Sequence, residues 1–338
     1  MFFSAKKKSI LGVDIGTANI KIAQVSHGKE PVLQTYGMVN LPNQLGGKNN
    51  EAAMDSVAEG LKTLIKKAGV TTNNCVISFP NSAVFTSVLE LPMMSERELQ
   101  SAVEFEAKKY VPLALTEIDL SWSVISQNEL DKKAKILLTA VPKQITRNYM
   151  RVFELAGLNP IAGEIEALAL IRSLVGNAPS NCVIIDIGAR ATGLNILENG
   201  FLRLSRNLNI GGDTITQKIA DSLNVSFFRA EQFKKEFGVS SATFIPETIK
   251  PVLNLVKNEV KQLLAIYQSH NIKVDKILLV GGGANLPGIV DYFSDLGSTV
   301  ELGDCLKTVG YSQSLAPILK RYELSLPIAI GLALRNEN

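Results

Sequence analysis

The sequence predicts a mixed α/β protein: two lobes folded alike, with a small α+β unit inserted in the first. Three observations predict it. Residues 10–16 and 183–188 are apolar, β-branched runs that both end in Asp-Ile-Gly, at Asp14 and Asp186. In each copy a turn glycine falls fourteen residues after the aspartate, Gly28 in the first and Gly200 in the second. Between about residues 80 and 160 the chain changes to short strands and helices that match neither copy.

In chain order, Val13 and Ile15 suit a buried strand, Gly16 a tight turn, and Ile20, Ile22 and Val25 the return strand. Within the middle block, strands are expected over 84–89, 120–125 and 136–141, and helices over 95–110 and 143–156. Ser95-Glu96-Arg97-Glu98 is a capping box opening the first of these helices, and 129–133 reads as a hairpin tip. Glu166 is read inside an otherwise apolar helical stretch, 163–169. In the second copy Ile184, Ile185 and Ile187 suit the strand, and Asn199-Gly200 is a strong hairpin signal between Leu194/Ile196 and Leu202/Leu204. A long helix over about 247–270 keeps Ile249, Val252, Leu253, Val256, Val260, Leu263, Leu264 and Tyr267 on one face. A buried strand at 276–280 follows, ending in Gly281-Gly282-Gly283, with a helix expected from Leu286.

The 338 residues suit two domains, and 46% hydrophobic with 20% charged residues is an ordinary globular composition. A net charge of +3 is too small to argue for a nucleic-acid partner. Lys6-Lys7-Lys8 reads as a solvated tail, a weak contact with anionic lipid being the sharper alternative. Cys75, Cys182 and Cys305 show no zinc spacing and no CxxC, and their odd number argues against a disulfide framework, so a reducing cytoplasm is expected. No apolar run approaches a membrane span, and Met1-Phe2-Phe3 is followed by lysines rather than a signal-peptide core. The tail 332–338 is too short for an amphipathic membrane helix of its own, so membrane association is expected only through a partner.

The chemistry-bearing residues point to an adenine nucleotide with Mg²⁺. A triphosphate needs backbone N–H groups from a tight turn, a cation, and carboxylates that hold Mg²⁺ through water. Asp14 and Asp186 both end hydrophobic strands; capping a strand end is the bland alternative for each. Gly16, Thr17, Ala18 and Asn19 are small or turn-forming, Gly188 opens the second turn, and Lys21 can reach back from the return strand. Gly211-Gly212-Asp213 precedes a helix near Thr214, as a phosphate or ribose site or as a plain capping turn. Gly281, Gly282 and Gly283, with Ala284 and Asn285, leave a flat surface on which a purine can lie. Glu231 and Lys234 read alone as a solvated helix face. Glu166 needs a partner or a function, such as orienting water at a γ-phosphate. His27 and His270 look surface-placed, and there is no Walker lysine loop, GxSxG or HExxH.

Together these motifs resemble the actin/Hsp70/sugar-kinase superfamily. Asp14-Ile15-Gly16-Thr17 with Lys21 looks like its first phosphate loop and Asp186-Ile187-Gly188 its second. Gly281-Gly282-Gly283-Ala284 looks like its adenosine motif, Glu231 and Lys234 its ribose and adenine segment, and Leu326–Ala333 its second connecting helix. Within it the chain is most similar to the PilM family of type IV pilus assembly. The carriers are the opening Met1-Phe2-Phe3-Ser4, the Ser-x-x-Glu helix ending in Tyr110-Val111-Pro112, and Ile165-Glu166-Ala167-Leu168-Ala169-Leu170. The resemblance implies a duplicated, ribonuclease H-like, actin-like ATPase fold. The first lobe would span 9–80 and 161–178, the latter a connecting helix, around an insertion at 81–160 of the kind found in FtsA. The second lobe would span 179–325, with 214–273 its smaller subdomain, and 326–338 a C-terminal connecting helix. It also implies bound ATP and Mg²⁺, with Asp14 and Asp186 on the hydrated ion, Asp186 and Glu166 as the catalytic pair, and at most slow hydrolysis. The implied partner is the N-terminal cytoplasmic peptide of the inner-membrane protein PilN, within the pilus inner-membrane assembly complex, and self-association is admitted. An FtsA-like division protein and a small-molecule kinase are the alternatives; the FtsA type continues into a linker and amphipathic helix that this sequence does not show. Ala189-Arg190 departs from the small or hydroxyl residues usual after the second Asp-Ile-Gly, so Arg190 either meets phosphate or blocks it.

Overall fold

The computed structural model describes residues 8–41, 51–129, 131–240, 244–269 and 272–335. The residues 1–7 of the opening motif, Leu130 of the hairpin tip, His270 and the tail 336–338 lie outside the described residues.

The chain begins with three antiparallel strands, β1 (Ser9–Ile15), β2 (Asn19–Ser26) and β3 (Val32–Asn40). Helix α1 (Glu51–Ala68) crosses to β4 (Asn74–Phe79), which runs parallel to β1. A 3₁₀ turn, Asn81–Ala83, leads into β5 (Phe85–Pro92), α2 (Glu96–Tyr110), β6 (Ile118–Asn128) and β7 (Lys133–Pro142). Next come α3 (Lys143–Ala156), β8 (Asn159–Ile165) and α4 (Glu166–Leu174). The second half repeats the plan with β9 (Cys182–Ile187), β10 (Thr192–Glu198) and β11 (Phe201–Leu208), then α5 (Gly212–Leu223), α6 (Phe227–Phe237) and α7 (Phe244–Ser269). It closes with β12 (Lys276–Val280), α8 (Ile289–Phe293), β13 (Thr299–Leu302), α9 (Ala316–Leu319) and α10 (Pro327–Ala333).

The duplication is explicit in the sheets. The first has strand order β3-β2-β1-β4-β8 and the second β11-β10-β9-β12-β13, the same path through space. Both β1 and β9 are central and buried on two faces, hence their near-continuous apolar sequence. Val183, Ile185 and Ile187 face α5–α7, while Cys182 and Ile184 share an apolar cluster with Ala167, Leu170 and Ile171 of α4. Asn199 and Gly200 both take positive φ, 53° and 84°, as a two-residue hairpin turn requires.

The third sheet, β5-β7-β6, carries α2 and has its own core of Leu89, Leu99, Val103, Ile136 and Leu138. The Ser95–Glu98 capping box opens α2. Helix α3 does not belong to that core: Tyr149, Val152 and Phe153 pack into the first lobe. By packing, the separate unit therefore ends near Pro142, and residue 160 falls inside β8, a strand of the first sheet. The stretch 163–169 is likewise not one helix, since Gly163–Ile165 close β8 and α4 begins at Glu166. After β12 a 3₁₀ turn spans Gly282–Asn285, and the helix expected from Leu286 starts at Ile289 as α8, behind Gly288 at φ 79°.

Helices α4 and α10 cross between the two sheets at van der Waals limit. A Cβ on Gly331 would stand 1.9 Å from the carbonyl oxygen of Ala169, and one on Gly12 of β1 1.9 Å from that of Ala329. Buried Glu164 locks the crossing, held by both Arg172 nitrogens at 2.6 and 2.9 Å and by Arg335 at 3.0 Å, while Arg172 also donates to the Gly331 carbonyl at 2.6 Å. His27, expected on the surface, is pinned here instead, its Nε2 2.8 Å from the Ala333 carbonyl oxygen. Gly331→Ala should lower stability by about 2–3 kcal/mol, seen as a lower urea midpoint, because only backbone movement can admit the methyl group. Gly60→Ala, inside α1 with nothing nearer than 3.9 Å, should raise stability by about 0.5–1 kcal/mol. A Gly331→Ala protein with the wild-type midpoint would contradict the close crossing.

Candidate functional site in the cleft between the lobes

Each lobe presents the same tight turn to the cleft. The Gly16 N–H donates to the Asn19 carbonyl at 3.0 Å, and the Gly188 N–H to the Ala191 carbonyl at 2.9 Å. Thr17 is exposed and Ala18 and Asn19 half-buried. The Ala18 and Arg190 amides, each four residues after its aspartate, have no hydrogen-bond partner among the described residues.

Four charged side chains converge beneath these turns. Asp14, 1% exposed, accepts from Lys21 Nζ at 3.0 Å and from Ser78 Oγ at 3.1 Å. Burial works against the Lys21 ammonium, but Asp14, Asp186 and Glu166 outweigh it and hold its pKa above the ordinary lysine value. Burial, with Asp14 and Asp186 adding like charge, pushes the Glu166 carboxyl up to about 8. Asp186 is raised to about 6, chiefly by burial, with Lys21 opposing and Asp14 adding to the rise. Three carboxyl groups thus share one ammonium, and the site favours additional positive charge. Among the described residues no group of three or more acidic, histidine or cysteine side chains is arranged to ligate a metal directly.

The remaining residues singled out in the sequence form a continuous wall on the second lobe. Gly281, at φ 85°, lies so close that a Cβ would meet Asp186 Oδ1 at 2.3 Å, and a Cβ on Gly283 would meet Ile187 Cγ2 at 2.2 Å. Gly282 has open space beside it, and Asn285 is turned back on its own loop, donating to the Gly282 carbonyl at 3.3 Å. Gly211 packs directly on Ala189, and the Gly212 and Asp213 amides donate to the Gly188 and Ala189 carbonyls at 2.9 and 2.7 Å. These first amides of α5 are therefore already engaged by the second turn. Arg190 pairs with Asp213 at 3.3 Å and is half exposed.

Glu231 and Lys234 are not a solvated face. Lys234 donates to the Gly212 carbonyl at 3.0 Å and to Thr216 Oγ1 at 2.8 Å, and pairs with Glu231 at 2.6 Å. Burial opposes the Glu231 carboxylate, but hydrogen bonds from Lys234 and Thr216 prevail and lower its pKa. Reasoning from sequence missed Ser78 and Asn81, whose backbone N–H donates to Glu166 Oε2 at 3.1 Å. The available signals were a serine interrupting the apolar run of β4 and an asparagine just after Phe79-Pro80.

The family model described as type IV pilus assembly protein PilM matches residues 12–337. The cell division protein FtsA of Bacillus subtilis (strain 168) is 24% identical over 340 residues, covering 85% of this chain and 76% of FtsA. Among solved structures, the PilM-PilN type IV pilus biogenesis complex contains a chain that matches with a TM-score of 0.86 and 25% identity, over 96% of this chain and 98% of that one. MreB 5 of Spiroplasma citri bound to AMPPNP matches with a TM-score of 0.53 and 14% identity, over 94% and 98%, a likeness of fold. Two lobes of identical strand order, and a family match running from β1 to beyond α10, place the chain in the PilM family of type IV pilus assembly proteins, with the actin-like fold.

Proposed function

We propose that this chain is an ATP-binding scaffold of type IV pilus assembly that grips the N-terminal cytoplasmic peptide of the inner-membrane protein PilN. Family membership and the likeness to a chain solved with PilN support the partner. The observation that carries the nucleotide reading is the gathering of Asp14, Asp186 and Glu166 around the single cation Lys21. A hydrated Mg²⁺ with its triphosphate fits that imbalance, the ion supplying the missing positive charge.

In this reading Asp14 and Asp186 hold the hydrated ion, and Lys21 meets phosphate as a point charge. The turns Gly16-Thr17-Ala18-Asn19 and Gly188-Ala189-Arg190 offer amides to phosphate oxygens. Gly281, Gly282 and Gly283 carry the adenine, on the open side of Gly282. Glu231 and Lys234, tied to Gly212, stand for the ribose contact, with Asn285 at the rim. The Gly211-Gly212-Asp213 segment buttresses the second turn more than it donates to phosphate, since two of its amides are already bonded. Glu166, raised to about 8 in the nucleotide-free protein, gives up its proton as the cation enters and would then at most orient water, with slow or negligible hydrolysis expected. No helix among the described residues is long and apolar enough to cross a membrane, and the proposed attachment to the inner membrane runs through the PilN peptide.

Calorimetric titration tests both halves. ATP·Mg²⁺ and the PilN peptide should each bind, and each should change the affinity for the other by the same factor. Asp14→Asn should weaken ATP·Mg²⁺ binding at least about tenfold, one charge-assisted contact being worth ~1.5–3 kcal/mol. Failure of wild type to bind ATP·Mg²⁺ would refute the nucleotide reading. Sedimentable polymers on lipid with ATP, and no peptide binding, would favour a role like that of FtsA instead. The nucleotide-free protein has a further pH signature. Because Glu166 and Asp186 are raised above their ordinary values, the folded state holds more protons than the unfolded state between about pH 4 and 8. Stability should therefore fall as pH rises through that window, and Glu166→Gln should flatten the fall and be more stable than wild type at pH 8.

A further inference from the structure

Behind the cleft carboxyl groups lie two buried amide atoms without partners, one from each lobe. Asn195 stands on β10 with no exposed surface; its Oδ1 accepts from Ser205 Oγ at 2.7 Å, but its Nδ2 has no hydrogen-bond partner among the described residues. Asn81 opens the 3₁₀ turn after β4, and its Oδ1 is buried and equally unpartnered. One is an orphaned donor and the other an orphaned acceptor. Both side chains border the same glycine: a Cβ on Gly193 would lie 3.6 Å from Asn81 Nδ2, which shares its amide with the orphaned Oδ1, 3.7 Å from Asn195 Nδ2 and 3.9 Å from Asp186 Cβ. Unmade hydrogen bonds on buried groups are costly, and those that persist in folded proteins call for an explanation such as strain or function.

Each amide is tied to the charged cleft. The Asn81 backbone N–H holds Glu166 Oε2 at 3.1 Å, and four residues further on the chain enters β5, the first strand of the inserted unit. Asn195 is two residues from Gly193, whose strand partner is Asp186. A relative shift of the two charged walls therefore shifts these amides against each other.

We propose that Asn81 and Asn195 form an amide clasp between the lobes, closed when the Asn81 amide turns its Oδ1 to accept from Asn195 Nδ2 as the cleft tightens on nucleotide. In the arrangement described here Asn81 Nδ2 faces Gly193 and the bond is unmade. Closing the clasp satisfies both orphans at once, so it favours the tightened cleft. Because Asn81 also holds Glu166 and leads into β5, the clasp transmits nucleotide binding to the root of the inserted unit, as differential stabilisation of two states.

The clasp takes its trigger from the nucleotide reading above, and its test separates the two. A double-mutant cycle of Asn81→Ala, Asn195→Ala and the pair is read by ATP·Mg²⁺ affinity. Each single replacement should weaken binding about three- to tenfold, and the double variant should bind no more weakly than the singles, since either loss breaks the same bond. If Asn195→Ala does not fold, Asn195→Ser takes its place. Losses that multiply, or singles that bind like wild type, overturn the clasp. If wild type itself binds no nucleotide, the nucleotide reading fails and the clasp, left without its trigger, fails with it; nucleotide binding by all four proteins with multiplying losses overturns the clasp alone.

Discussion

The close crossing of α4 and α10 is the constraint on which the rest of the structure depends. Gly331 lies on the Ala169 carbonyl and Gly12 on that of Ala329, so β1, α10 and α4 stack with no side chain between their backbones. This spacing brings the carboxyl ends of β1 and β9 face to face, and with them Asp14 and Asp186. Glu166, the first residue of α4, is delivered to the same point by the same crossing. Buried Glu164, forked onto Arg172 and joined by Arg335, holds the helices in register.

The electrostatics of the cleft follow from that geometry. Carboxyl groups at the ends of buried strands lose hydration, and three of them near one ammonium raise the proton affinity of Glu166 and Asp186. In the proposed reading the cleft is preorganised for a cation that the protein supplies only in part, through Lys21. Its second wall is built of backbone: Gly281 presses on Asp186, and the amides of Gly212 and Asp213 brace the turn at Gly188.

What was legible in the sequence was local. Asp14, Lys21 and the turn at Gly16 sit within eight residues, and strand alternation alone puts Asp14 opposite Lys21. Asn199-Gly200 could be read because few other residues tolerate its two positive φ angles. What was not legible depended on distant partners. Ser78 meets Asp14 across 64 positions and Asn81 meets Glu166 across 85, so neither stands out as more than a polar residue near a strand end. Glu231 and Lys234 had the spacing of a solvated helix face, and only the packing of α6 on α5 shows them bonded to Gly212 and Thr216. Helix α3 resembled the inserted unit in texture, yet its apolar face is completed by the first lobe.

If the raised carboxyl groups of the cleft await a cation, proton release on binding measures this directly. ATP·Mg²⁺ titrated at pH 7 in buffers of different ionisation enthalpy should show protons leaving the protein on binding, chiefly from Glu166, and Glu166→Gln should lose most of that release. Tight binding with no proton release, or with the same release in Glu166→Gln, would contradict the claim.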